Sequence, residues 1–376
     1  MFLRSGSNNP ATSMFVLLAL SVIAFASAFP LANGQTVVAT VTVGTNPFGL
    51  AYDSAKGEVF VANQDSNTVS VISDSNNAVI ATVKVGGQPE GVAYDAARGE
   101  VFVANAAIPG TVSVISDTNN TVVKTVAVGG SPVSLAYDSG KGEVFVANPD
   151  SNAISVIADR NYSVVATIPG GGGPDGVTYD SAKGEVFAAN RGPGTVSVIS
   201  DSTNTVVASA KVGATPIGLA YDPAKGEVFV TNLNGGSVSV ISDGTNAVVA
   251  TVTTGGNPRG IAYDSGKGEV FVTIETNATV SVVKDSNNTI VAHVPVGDQP
   301  YAAAYDSAKG EVFVANVAVR SVSVISDSAS SSSTSTSTTT STTPEFPAGA
   351  LVFIAAGLLS VVALASRKSR PGQLHG

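Results

Sequence analysis

Two carboxylates and a guanidinium, Glu90, Asp175 and Arg259, occupy the same position of a repeated unit, the residue that follows a proline; the other copies carry Phe48, Val133, Ile217 and Tyr301 there. Acids and a base gathered at one opening could hold a polar ligand or, with one carboxyl protonated, serve general acid–base hydrolysis. A second set, Asp65, Asp150, Arg191, Glu275 and Arg320, falls in neighbouring loops of the unit. Elsewhere the chain is poor in catalytic chemistry. It has no cysteine and two histidines, His293 inside a predicted strand and His375 near the C-terminus. The serines repeat at strand or low-complexity positions with no histidine companion, so the sequence assembles no nucleophile–base pair, and the lone His293 is read as structural.

Other motifs dissolve under the same scrutiny. The recurring Asp-Ser-Ala-Lys-Gly-Glu loop places Asp53 and Glu58 in one unit and their equivalents in the rest. It lacks the alternating oxygen ligands of a calcium loop, and turn chemistry accounts for it, with Asp bonding its own backbone and Gly57 taking a positive φ. No metal and no cofactor is expected. Its seven cations, Lys56, Arg98, Lys141, Lys183, Lys225, Lys267 and Lys309, each lie between an Asp and a Glu and read as a neutralised ring. Gly171-Gly172-Gly173-Pro174-Asp175-Gly176 fits the dinucleotide pattern but leads into a strand, where a helix N-terminus is needed to hold pyrophosphate. Four glycosylation sequons occur, at Asn119, Asn161, Asn277 and Asn287. Three of them fall in turns, where asparagine is favoured for its left-handed backbone conformation.

These residues are positioned by a repeat. Ala51 to Asn63, AYDSAKGEVFVAN, recurs seven times, marked by Tyr-Asp pairs at Tyr52, Tyr94, Tyr137, Tyr179, Tyr221, Tyr263 and Tyr305. Units of this length cannot bury their own apolar face and must stack. Within one period four runs rich in β-branched residues alternate with turns, in the first unit Gly49 to Asp53, Glu58 to Asn63, Thr68 to Asp74 and Ala78 to Gly86. That spacing predicts one four-stranded antiparallel blade, and no run has helical periodicity. With no Trp and 6% aromatic residues, the core must be Val, Ile and Ala. The seventh unit lacks its last strand, and Thr36 to Gly44, TVVATVTVG, supplies a matching strand before the first. The prediction is an all-β, seven-bladed propeller over 36–327, closed by its N-terminal strand.

Glu-Val-Phe-Val-Ala-Asn, Thr-Val-Ser-Val-Ile-Ser-Asp, Val-Ile-Ala-Thr-Val-Lys-Val-Gly and Pro-x-Gly-x-Ala together resemble the YVTN β-propeller repeat. Phe229-Val230-Thr231-Asn232 comes nearest to its core, and unit six departs with Ile274 where Asn is expected. The resemblance implies a surface protein of the archaeal and bacterial kind. Related seven-bladed folds include lactonase-like enzymes.

The ends point the same way. Residues 1–28 carry Arg4, an apolar run from Met14 and Ala26-Ser27-Ala28, as in a secretory signal peptide. A linker, 29–35, follows. Residues 328–347 form a Ser/Thr-rich stalk ending in Pro344-Glu345-Phe346-Pro347, 348–366 an uncharged apolar run read as a transmembrane helix, and 367–376 a basic tail held in the cytoplasm. PEFP, helix and basic cluster together resemble an archaeal C-terminal sorting signal. That resemblance implies a sortase-like tail-processing enzyme as a partner; an ordinary single-pass anchor accounts for the same residues. The absence of cysteine leaves an exported domain without disulfides, and the formal net charge of −9 repels phosphate backbones, so no nucleic-acid role is expected.

Comparison of the seven units with one another supplies an internal control. Loops joining first to second and third to fourth strands barely vary, whereas those entering the first strand and joining second to third, on the opposite face, vary considerably. Drift at tolerant surface positions and selection for binding both produce this pattern. The leading expectation is a non-enzymatic, surface-anchored module that binds protein or envelope glycan through Phe48, Glu90, Val133, Asp175, Ile217, Arg259 and Tyr301. The alternatives are a hydrolytic, lactonase-like propeller and a structural surface-coat component.

Overall fold

A computed structural model describes residues 34–327 of the chain. The predicted signal peptide, stalk, transmembrane helix and tail lie outside the described residues, and among the described residues no helix is long and apolar enough to cross a membrane. Seven four-stranded sheets form, each strand antiparallel to its neighbour. In the first blade the order is β2 (Pro47–Asp53), β3 (Glu58–Asn63), β4 (Thr68–Ser73) and β5 (Ala78–Lys84), from the channel outwards. Blades two to seven begin at residues 89, 134, 174, 216, 258 and 300. The innermost strand of the first blade starts at Pro47, two residues before the sequence-based boundary.

Closure occurs as expected. β1 (Thr36–Thr42) pairs antiparallel with the last strand, Ser321–Ser326, and completes the seventh blade. Of its valines Val41 is 5% exposed and Val38 52%; Val41 joins a core cluster and Val37 packs against another, so one face of the strand is buried while its backbone completes the ladder. Gln35, placed in the linker by sequence, is 2% exposed and donates from Nε2 to Glu269 Oε2 in blade six at 2.7 Å.

The core lies between blades. Phe60, Phe102, Phe145, Phe187, Phe229, Phe271 and Phe313, one from each second strand, are fully buried, which corrects the expectation of a core of Val, Ile and Ala alone. Each apolar cluster joins residues of two adjacent blades; one combines Phe313, Val322 and Val324 of the last blade with Leu50, Val59 and Ile72 of the first. A period-two strand buries both faces only when blades stand on either side, so stacking, not the single sheet, makes the core.

On the face carrying the invariant loops, the buried Asp53 accepts backbone N–H groups of Ala55 and Lys56 at its Oδ1 (2.8 and 3.2 Å), and Gly57 adopts φ +67°. That is the expected turn. The loop cations behave differently from the expectation of a ring neutralised within each loop. Lys56, Lys141, Lys183, Lys225, Lys267 and Lys309 reach forward to Asp117, Asp201, Asp243, Asp285, Asp327 and Asp74 of the next blade, with Nζ–Oδ1 distances of 3.0 to 3.8 Å. Four of these aspartates, Asp74, Asp117, Asp243 and Asp285, also accept their own blade's tyrosine hydroxyl, from Tyr52, Tyr94, Tyr221 and Tyr263, at 3.2–3.3 Å. A long side chain leaving a tight turn finds its nearest acceptor across the blade gap. Arg98 instead pairs with Glu100 at 3.2 Å and lies 5.9 Å over the ring of Tyr162 in blade three, whose hydroxyl donates to Glu100 at 2.5 Å.

Candidate functional site

The opposite face holds the variable residues, and a backbone irregularity aims them. In blade one the pairing of β2 with β3 shifts register between Pro47 and Leu50, so that Phe48 and Gly49 fall in a bulge. Blades two, four, five, six and seven repeat the shift. A bulge re-aims a side chain that a regular ladder would send to a blade face. In blade three the inner strand begins two residues later, at Ser134 and not at Pro132, and Val133 is held by its N–H to Ala147 O at 3.1 Å. In five blades a glycine follows the variable residue and permits close packing; blades three and seven carry Ser134 and Ala302 there. A Cβ on Gly49 would stand 2.3 Å from the Glu90 carbonyl, and one on Gly176 1.9 Å from that of Ile217, so the inner strands approach backbone to backbone.

All seven residues, Phe48, Glu90, Val133, Asp175, Ile217, Arg259 and Tyr301, line one cavity of about 460 Å³ at the mouth of the channel. Asp150 and Arg191 from the second-to-third loops line it too. Glu275 is brought in through Arg259, whose Nε donates to its Oε2 at 2.7 Å, and Arg191 pairs likewise with Asp175 at 2.7 Å. Asp65 turns aside to accept from Asn46 Nδ2 at 2.7 Å, and Arg320, at φ +51°, is not among the lining residues.

Sequence reading passed over three positioning residues. Gln64 donates from Nε2 to Glu90 Oε1 at 2.8 Å. Thr231 takes the N–H of Gly218 at 2.9 Å and donates to the carbonyl of Arg259 at 2.6 Å; Thr273 does the same with Gly260 at 2.8 Å and the carbonyl of Tyr301 at 3.0 Å. The other five blades carry Ala62, Ala104, Ala147, Ala189 and Ala315 at this position. The two threonines therefore tie down the backbone of Arg259 and of Tyr301, and their departure from alanine was the available signal.

Burial governs the electrostatics. It pushes the Glu90 carboxyl up to about 7, with Asp175 adding to the rise while Gln64 and Arg191 oppose it. Asp175 is also raised by burial, against the pull of Arg191 and Arg259. The Tyr301 phenol is pushed up to about 12 by burial, reinforced by Asp175 and Glu90. Tyr301 packs against Phe48 with centroids 4.2 Å apart and planes tilted by 39°, and the Arg259 guanidinium lies 4.7 Å from the Tyr301 ring centre. The arrangement can bind through charge and ring contacts; Glu90, poised to change protonation near neutrality, can also donate or accept a proton.

The remaining sequence candidates lie elsewhere. His293 Nδ1 is 3.0 Å from Ser281 Oγ in blade six, where Ile274 replaces the buried asparagine that in blade one bonds Ser70 from Asn63 Nδ2 at 2.9 Å. The histidine thus gives that serine another partner. Gly171 to Gly176 leads into the strand Pro174–Asp180, and the N–H groups of Gly172 and Gly173 are taken by Asn152 Oδ1 at 3.0 Å. Among the described residues no group of three or more acids and histidines is set to hold a metal ion. The sequon asparagines Asn119, Asn161, Asn277 and Asn287 are all exposed. The left-handed residue in each case is the next one, Asn120, Tyr162, Ala278 and Asn288 at φ +50° to +58°. This corrects the expectation that the sequon asparagine itself takes that conformation. In three of them Asn Oδ1 instead accepts the sequon hydroxyl, from Thr121 and Thr289 at 2.7 Å and from Ser163 at 2.9 Å.

Comparison with known proteins places this architecture. Hydrazine synthase of Kuenenia stuttgartiensis superposes with a TM-score of 0.68 at 21% identity, over 76% of this chain and 98% of that one. A chain of a mitotic checkpoint complex superposes with a TM-score of 0.70 at 14% identity, over 87% of this chain and 98% of its own. At such identities the likeness is one of fold alone. No curated protein sequence matches the chain. A family model does, over residues 33–225, just over half of the sequence and the first four blades, and the chain belongs to the YNCE-like β-propeller family.

Proposed function

We propose that the protein is a non-enzymatic binding module, exported and held at the cell surface by its C-terminal segment, that engages a protein or envelope glycan at the channel mouth. One observation carries this reading: the register position that differs in every unit of an otherwise near-identical array is gathered, seven times over, onto a single cavity. A rigid ring with variable groups at one opening is a scaffold for recognition. Orientation agrees with anchoring. Thr36 pairs with Ser326 at the face of the invariant loops, so both ends of the described chain leave the ring opposite the cavity. The test is retention of envelope components by the full chain beside a variant substituted at Glu90, Asp175 and Arg259. Retention by the wild type alone supports the reading; equal retention by a folded variant rejects this face.

A second reading rests on Glu90. A carboxyl titrating near 7 beside Asp175 has the protonation behaviour of a general acid–base. Turnover of lactones or esters that follows the Glu90 titration and is lost in Glu90→Gln would establish it; no turnover leaves the binding reading alone.

A further inference from the structure

The charged groups at the mouth are unevenly matched. Arg191 is committed to Asp175 and Arg259 to Glu275, each at 2.7 Å. Among the described residues Glu90 forms no ion pair, and Arg191, which opposes the rise of its carboxyl, is held by Asp175. The one side-chain hydrogen bond to Glu90 among the described residues comes from the neutral amide of Gln64, at 2.8 Å. Gln64 from the second-to-third loop of blade one bonds it, and Asp175 and Arg191 of blade four and Tyr301 of blade seven interact with it electrostatically. A half-buried carboxylate bordered by an amide, a second acid and a guanidinium held elsewhere carries an unmet desolvation cost, which a cation entering the cavity would offset.

The aromatic pair limits the shape of that cation. Phe48 lies 4.2 Å and the Arg259 guanidinium 4.7 Å from the centre of the Tyr301 ring. Phe48 and Arg259 belong to the blades on either side of Tyr301, so its ring is already engaged by an aromatic ring and a guanidinium and is a crowded platform for a flat pyranose ring. What the cavity offers is a narrow apolar border beside an acid, suited to an unbranched stem with a charged tip.

We propose that the mouth receives a lysine side chain of a partner protein, its ammonium group seated on Glu90 beside Asp175 and its methylene stem against Phe48. This rests on the binding reading above and names the chemistry of its ligand. Binding of the ammonium is linked to ionisation of Glu90. Because that carboxyl titrates at about 7, affinity rises as pH rises through neutrality and falls as Glu90 takes up its proton.

The test is calorimetric titration of the full chain with acetyl-Gly-Lys-Gly-amide and with the same peptide acetylated on its lysine, at pH 5.5, 7.0 and 8.5. At pH 8.5 the charged peptide should bind at least about tenfold more tightly than the acetylated one. Its affinity should fall by up to about thirtyfold at pH 5.5, following the ionised fraction of a carboxyl that titrates near 7. Glu90→Gln should remove both the preference and the pH dependence while its melting temperature certifies the fold; Glu90→Asp should restore part of each. Equal binding of the two peptides at pH 8.5, or a preference that survives Glu90→Gln, overturns the proposal. Glucosamine bound in place of the lysine peptide overturns the protein source. An envelope ligand that binds the wild type, is lost in the triple variant and does not compete with the lysine peptide sinks this inference alone. If the mouth binds nothing, the binding reading falls with it.

Discussion

Glu90 is the residue at which burial and function pull in different directions. Its carboxyl is raised from 4.5 to about 7, so the folded chain holds that proton more tightly than the unfolded chain does. Stability from this group is greatest below pH 4.5 and is lost as pH rises towards 7. Glu90→Gln removes the burden, and we expect it to stabilise the protein at pH 8 by about 1–3 kcal/mol. Little gain should appear at pH 4; melting curves at the two pH values check the sign. Thr231 and Thr273 act on the site through backbone carbonyls. Replacing both with alanine, the residue of the other five blades, should leave the ring folded at a cost of about 1–2 kcal/mol per site. Ligand affinity should fall together with the order of Arg259 and Tyr301, and titration of the double variant beside its melting curve separates the two effects.

At the scale of the element, the tight turn between β2 and β3 joins blades as well as strands. Gly57 needs its φ of +67°, and a Cβ there would stand 2.5 Å from Asp74 Oδ2, the carboxylate that accepts Tyr52 and Lys309. Gly57→Ala should therefore cost about 1–3 kcal/mol, more than the turn alone explains, because it displaces the acceptor of an inter-blade link. Lys309→Met removes the cation but keeps the turn, and we expect a loss of about 0.5–1 kcal/mol that shrinks in high salt. Denaturant titration of the two variants distinguishes them. The bulge beginning at Pro47 is the complementary device on the other face. It spares the ladder below Leu50 while turning Phe48 to the channel, so the face that varies and the face that holds the ring are built by different parts of one strand.

The ring as a whole depends on one pairing between the first and last strands of the described residues. β1 covers the strand Ser321–Ser326, and without it Val322 and Val324, both fully buried, would lie at an open edge. Removal of 36–44 should lower the melting temperature and enlarge the hydrodynamic radius. An unchanged radius and melting curve would show that the ring holds without its closing strand. The deletion takes no residue of the mouth, but it should still weaken binding there, since Phe48 and Tyr301 meet across the closing blades one and seven.

The repeat made the architecture legible. Seven Tyr-Asp pairs fixed the number of blades, alternation of β-branched runs with turns fixed four strands in each, and TVVATVTVG before the first unit announced the closing strand. Those signals are local and recur, so each copy confirms the others. The variable position was legible for the same reason, since seven near-identical units expose whatever differs among them. Only the tertiary structure decided who meets whom. That Lys56 reaches Asp117 of the next blade, that Arg191 neutralises Asp175 while Glu90 keeps only an amide, and that Tyr301 is engaged by Phe48 and Arg259 all depend on side chains crossing blade boundaries. A repeat states what each unit contains. The distances between units are set by how the ring closes, and the chemistry of the mouth resides in those distances.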